Sequence, residues 1–227
     1  SPAEINSISI IRCCNSCKFY ATAIFSSNGT ILLKENMKDL TIVGGGLAGS
    51  EAAWQAAQRG VKVTLFEMRP AQMTGAHVSG NLAELVCSNS LGSHLLDRAS
   101  GLLKSEARRM GSLLLTIAEE TQLPAGNSLA VDREIFSAKV TAAICSHPMI
   151  HVIEEEVTTL PDGPAIIASG PLTSPALAES LKSLTEQEHM FFYDAIAPIL
   201  SLDSIDQNIV YRGSRYHMEE QTKGDYL

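Results

Sequence analysis

Residues 39–67 read DLTIVGGGLAGSEAAWQAAQRGVKVTLFE, and this stretch decides the fold. Asp39 to Val43 is a short apolar, β-branched run, the profile of a buried parallel strand. It enters Gly44-Gly45-Gly46-Leu47-Ala48-Gly49, which fits GxGxxG with Gly44, Gly46 and Gly49 at the key positions. Ser50 to Arg59 is rich in Ala, Glu and Gln, all good helix formers, and Gly60 supplies a stop. Val61 to Phe66 alternates as a second strand and ends at Glu67. Strand, turn, helix, strand and terminal acid fall in register, so the spacing predicts a βαβ unit that binds a dinucleotide.

Each part has a physical reason. Gly44 permits the tight turn out of the strand, Gly46 lets the backbone approach a pyrophosphate, and Gly49 lets the helix pack near the strand. The anion is then expected on the unsatisfied N–H groups at the helix start, where the helix dipole favours negative charge. Glu67 is expected to accept hydrogen bonds from the adenosine ribose hydroxyls. The pattern fits FAD and NAD alike.

Downstream, Met68-Arg69-Pro70 ends the second strand, and residues 71–95 form a long polar stretch without a clean period. Loops of this length in compact domains are usually functional or mobile. It contains Leu85-Val-Cys87-Ser-Asn-Ser90. A cysteine in a polar loop beside a nucleotide site is a candidate thiolate nucleophile, and equally a small buried hydrophobe. Cys145 reads as core, on the apolar face of a helix. Residues 99–120 read as one helix with Leu102, Leu103, Met110, Leu113, Leu114 and Ile117 on one side, and Lys104, Arg108 and Arg109 on a solvated face. Asp132 suits an N-cap for a helix with Phe136, Val140 and Ile144 in the core, a cheaper reading for Asp132 and Arg133 than ligand contact. His147-Pro148 closes that helix. His151 to Val157 gives a strand and an acidic bend, Ala165 to Ala168 a further strand entering Ser169-Gly170-Pro171, and Leu172 to Leu184 a helix. Beyond it, Phe191 to Asp194 and the Arg212, Arg215, Tyr216, His217 group mix aromatic and basic residues.

The chain has 227 residues and a formal net charge of −8, with 45% hydrophobic and 19% charged residues. That composition belongs to a globular protein and excludes a disordered or collagen-like chain. No apolar run approaches the roughly 18 residues of a membrane span. The acidity excludes a protein that grips nucleic acid by bulk positive charge, but not a local basic path. Residues 1–36 hold Cys13, Cys14 and Cys17 and show no clear period. Cys14 and Cys17 have CxxC spacing, yet no second CxxC or paired His accompanies it, so no metal site is expected. We read 1–36 as a leader that is non-native or disordered, Met37 as the start, and Gly224-Asp-Tyr-Leu227 as a break inside a domain.

Taken together the motifs resemble the bacterial folate- and FAD-dependent tRNA uridine-C5 methyltransferases (TrmFO, formerly called Gid). The matching stretches are residues 42–53 (IVGGGLAGSEAA), 66–70 (FEMRP), 84–90 (ELVCSNS), 129–133 (LAVDR), 168–174 (ASGPLTS), 192–198 (FYDAIAP) and 214–216 (SRY). The resemblance implies an α/β, Rossmann-like FAD-binding domain with a parallel sheet and flanking helices over 37–184. It also implies the beginning of an insertion domain over 185–227. It implies that a one-carbon unit from 5,10-methylenetetrahydrofolate reaches C5 of the T-loop uridine of tRNA through reduced flavin, with NAD(P)H as reductant, in the cytoplasm. FAD contacts fall to Gly44, Gly45, Gly46, Leu47, Ala48, Gly49, Glu67 and Gly170, and Cys87 matches one of the family's two functional cysteines, as nucleophile or as proton shuttle. Departures are mild at Leu123-Pro-Ala-Gly-Asn127 and Ala168-Ser-Gly-Pro171, and the second functional cysteine has no counterpart here. The competing readings are an FAD-dependent oxidoreductase of a small molecule and a non-catalytic FAD-binding fragment.

Overall fold

The computed structural model describes residues 7–12 and 20–25 by their backbone, and residues 39–185, 202–206 and 208–210. The first βαβ unit lies where the spacing predicts it. Strand β3 is Asp39–Val43, helix α1 is Leu47–Gln58 and strand β4 is Lys62–Phe66. Before it come β1 (Ser7–Arg12) and β2 (Tyr20–Phe25). After it come β5 (Ser90–Ser93), α2 (Ala99–Arg109), α3 (Leu113–Glu120), β6 (Gln122–Leu123), β7 (Ser128–Val131) and α4 (Arg133–Ser146). The chain then forms β8 (Ile150–Ile153), β9 (Ala165–Ile167) and α5 (Pro175–Thr185).

The main sheet has the order β1-β2-β9-β3-β4-β8. Its β9, β3, β4 and β8 are parallel, and the β1–β2 hairpin adds antiparallel to β9. That hairpin falls within residues 1–36, where the sequence shows no strand period. A small antiparallel sheet, β5-β7-β6, sits apart.

Registry matters most at one edge. Val43 pairs with Phe66 on one side and Ile167 on the other, so three strands end level. The next residues along the chain, Gly44, Glu67 and Ala168, are thereby gathered at the carboxyl edge. In parallel α/β sheets this is where ligands bind.

Both faces of the sheet are covered, which explains why Ile42 and Val43, consecutive in β3, are both apolar and buried. Ile42 belongs to the larger core, with Ala53 and Ala57 of α1, Val63 and Leu65 of β4, and Phe136, Val140 and Ile144 of α4. Its neighbour Val43 points the other way, into a cluster with Ile167, Leu177 and Leu181. The three α4 residues are fully buried, as their spacing requires. The Asp132 carboxylate caps that helix by accepting from the Glu134 and Ile135 amides.

Three readings need correction. The single helix over 99–120 is two, broken at Gly111, whose φ of +75° is left-handed and cannot continue a helix. The break rotates the apolar positions out of line, leaving Leu102, Leu103 and Met110 exposed while Leu113 and Ile117 are buried. Lys104 is not solvated either, because its Nζ is buried against the Leu91 carbonyl at 2.8 Å. Cys145 is exposed rather than core, since it comes directly after Ile144 and falls off the buried stripe. The groups at 191–194 and 212–217, like Cys13, Cys14 and Cys17, lie outside the described residues.

Candidate functional site

A cleft opens at the carboxyl edge of β3, β4 and β9. Gly44, Gly46, Leu47, Ala48, Glu67 and Gly170 all border it, so one site gathers six of the predicted residues. Gly44 has φ +103°, and a Cβ there would lie 2.6 Å from the Ala168 carbonyl oxygen, so only glycine makes this turn beside β9. Gly49 works behind the cleft. A Cβ on it would meet the Gly44 oxygen at 1.8 Å, and its absence lets α1 rest on the turn.

Gly46 differs from both. Nothing lies within 4 Å of a Cβ built on it, yet the residue borders the cleft, so the missing side chain leaves room for a ligand. Gly46 is also the N-cap of α1 and offers no capping side chain. The N-terminus of α1 therefore borders the cleft with no side chain capping its first amides, the arrangement that holds a phosphate at a helix N-terminus. An open cradle, helix amides and a carboxylate at the end of β4 together fit a dinucleotide.

Glu67 is 6% exposed and holds the turn as well as facing the cleft. Its Oε2 accepts the Gly45 amide at 2.8 Å, and its Oε1 accepts the Arg69 amide at 3.1 Å and Arg69 Nε at 2.9 Å. Burial alone would raise its pKa, but Arg69 and the Gly45 amide outweigh it and hold the carboxyl below the usual range. Gly45 packs inward, where a Cβ would strike Leu82 Cδ2 at 2.4 Å.

Arg69, Glu84 and His77 border the same cleft and carry no signal of the glycine motif. Arg69 is 2% exposed; its Nη1 donates to Glu84 Oε2 at 3.1 Å and to the Ser79 carbonyl at 3.2 Å. Glu84 also accepts the Val78 and Ser79 amides and the Ser79 hydroxyl. Its burial is likewise outweighed by these bonds, which lower its pKa. A hint was present, because residues two apart in an extended segment share a face, which pairs Glu67 with Arg69. Glu84 had no such hint: it lies fifteen positions from Arg69, and the chain between them had to fold back first.

Cys87 is half-buried, and its neighbour Val86, rather than Cys87 itself, borders the cleft. The loop that carries it is held firmly. The Ala83 amide donates to the Gly45 carbonyl at 2.8 Å, and the Leu82 amide to Thr141 Oγ1 at 2.9 Å. Arg133 Nη1 reaches the Leu85 carbonyl at 3.3 Å, and the Val131 amide donates to the Asn89 carbonyl at 2.9 Å. Arg133 thus braces the Cys87 loop. Among the described residues, no group of three or more His, Cys, Asp or Glu is placed to hold a metal ion. No described helix is long and apolar enough to cross a membrane.

Comparison with known proteins agrees with this geometry. A methylenetetrahydrofolate–tRNA-(uracil-5-)-methyltransferase TrmFO of Moorella thermoacetica is 57% identical over 187 residues, covering 82% of this chain and 42% of the relative. The proteins of the same name from Brevibacillus brevis and Listeria monocytogenes are 55% and 52% identical, covering 80% and 81% of this chain and 41% and 42% of their own lengths. The chain therefore spans about two-fifths of the length of these curated relatives. The family described as glucose inhibited division protein A matches residues 39–227, which takes in the glycine turn, Glu67 and the Cys87 loop. The chain belongs to the glucose inhibited division protein A family.

Proposed function

We propose that this chain is the FAD-binding part of a folate-dependent tRNA (uracil-5-)-methyltransferase. FAD would lie in the cleft with its pyrophosphate at Gly44–Gly46 and the amides of Leu47 and Ala48, its ribose at Glu67, and Gly170 lining the same cleft. Bound there, it supplies the redox chemistry that brings a one-carbon unit of 5,10-methylenetetrahydrofolate to the methyl level, with NAD(P)H as the source of two electrons. The substrate is the T-loop uridine of tRNA, and the reaction is cytoplasmic.

The chain's own contribution centres on Cys87. Uracil C5 is a poor nucleophile. A thiolate adding to C6 forms an S–C6 bond and moves the ring π electrons onto C5, which can then attack the one-carbon unit. Loss of the C5 proton and expulsion of the thiolate restore the ring. Cys87 serves as this nucleophile or as the group that takes the C5 proton.

The observation that carries the reading is the Ala83–Gly45 hydrogen bond, which fastens the Cys87 loop to the nucleotide turn. A flavin oxidoreductase of a small molecule needs the turn but has no use for a cysteine-bearing loop fastened to it. The test is methyl incorporation into T-loop RNA with reduced FAD and methylenetetrahydrofolate, by the full-length enzyme and its Cys87→Ala variant. Loss of methylation by more than about 100-fold is expected for a covalent or proton-transfer role. Undiminished activity refutes the role of Cys87, and FAD binding without methylation by the parent favours the non-catalytic reading.

A further inference from the structure

The loop from Thr74 to Glu84 contributes His77 and Glu84 to the cleft, and the proposed chemistry gives the histidine no part. His77 is half-buried and borders the cleft with Glu67 and Glu84. Its Nδ1 lies 2.7 Å from Thr74 Oγ1. That hydroxyl already accepts the Ala76 amide at 3.3 Å and the His77 amide at 3.2 Å. A threonine hydroxyl has two acceptor sites and one proton. With both acceptor sites taken, the proton goes to His77 Nδ1, which is therefore the accepting nitrogen. A neutral imidazole then carries its own proton on Nε2.

The neutral form is also favoured. Protonating Nδ1 would direct a third donor at Thr74 Oγ1. Burial, and then the nearby Arg69 cation, lower the imidazole pKa against the opposing pull of Glu84 and Glu67. His77 is thus locked as a donor through Nε2–H.

A ribose hydroxyl that donates its proton to Glu67 keeps two lone pairs in need of a donor. Arg69 commits Nε and Nη1 to Glu67, Glu84 and Ser79. We propose that His77 is a nucleotide-binding residue, its Nε2–H donating to the adenosine ribose whose hydroxyls donate to Glu67. An acceptor from one side and a donor from the other then recognise the diol, and Thr74 acts as a positioning residue that sets the tautomer. The inference rests on the dinucleotide reading of the cleft.

The test uses the full-length protein that contains this chain, FAD, and an FAD analogue whose adenosine ribose lacks both hydroxyls, with affinities read from flavin fluorescence. His77→Phe should weaken FAD binding by about three- to tenfold, the range of one neutral hydrogen bond, and leave the analogue unchanged. His77→Gln, which retains an N–H donor, should recover most of the loss. In the parent, ¹⁵N NMR of the histidine side chains should show His77 protonated at Nε2, and Thr74→Val should relax that preference. Equal FAD affinity in His77→Phe, an equal loss with the analogue, or an Nδ1-protonated ring overturns the proposal alone. Absence of FAD binding by the parent overturns the dinucleotide reading and this one with it.

Discussion

Two glycines three residues apart in the same turn should fail in opposite ways when each receives a single methyl group. At Gly49 the added Cβ would lie 1.8 Å from the Gly44 oxygen, whereas ordinary contact begins at 3.4 Å, so α1 must withdraw by about 1.6 Å. The obstacle is backbone, and no rotamer change relieves it. Ala53 and Ala57 press the same helix onto Ile42, Val63 and Leu65, so withdrawal opens gaps along the core. Overpacking of this kind costs about 1–3 kcal/mol or more, against a helix-propensity gain of about 1 kcal/mol for Gly→Ala. With a clash this close the upper end applies, and Gly49→Ala should lose about 2 kcal/mol or more, or roughly 4–8 °C in Tm for a chain of this size. At Gly46 the backbone has φ −70° and ψ −167°, which any residue adopts, and a Cβ meets nothing. Gly46→Ala should therefore cost no more than about 1 kcal/mol in stability, the N-cap preference. Its methyl would occupy the place of a pyrophosphate and weaken FAD at least about tenfold, roughly 1.4 kcal/mol. Urea denaturation and FAD titration of both variants separate the two effects. A Gly49→Ala chain as stable as the parent, or a Gly46→Ala chain that binds FAD equally well, refutes the division of roles.

Arg69→Met should cost about 3–5 kcal/mol by chemical denaturation, because it strands the Glu67 and Glu84 carboxylates in the interior; a loss below about 1 kcal/mol would show that the carboxylates do not depend on it. Asp132→Ala removes a cap that holds two amides and should cost about 1 kcal/mol, with Asp132→Asn recovering most of it; if the alanine variant is unaffected, solvent already satisfies that helix end. Stability should fall on acidification in two stages. His77, Glu67 and Glu84 all have folded pKa values below their ordinary ones of 6.5, 4.5 and 4.5, so the unfolded chain binds more protons as pH drops through each. Denaturation midpoints should be level between about pH 7 and 8, decline below 6.5 as His77 and His94 contribute, and decline again below 4.5. A midpoint that rises on acidification would reverse the assigned direction.

The strand–turn–helix–strand unit was legible in the sequence because its determinants are local. Each glycine answers to atoms within a few residues or to the next strand, and hydrophobic period separates β3 and β4 from α1 without tertiary knowledge. The same holds for α4, whose cap at Asp132 and stripe of Phe136, Val140 and Ile144 are all encoded within about fifteen residues. The break at Gly111 was equally local and was masked by a leucine-rich pattern that runs across it. What only the tertiary structure decided is what surrounds the turn. Glu84 reaches Arg69, Ala83 reaches Gly45, and His77 borders the cleft only because the chain from 71 to 90 folds back over the sheet edge. No periodicity announces such contacts, since a loop satisfies its backbone through individual side chains rather than through a repeating ladder. The sequence therefore determined that a dinucleotide turn and a cysteine lie in one domain. The fold decided that a hydrogen bond joins their loops, because burying Arg69 requires two carboxylates from opposite ends of that segment.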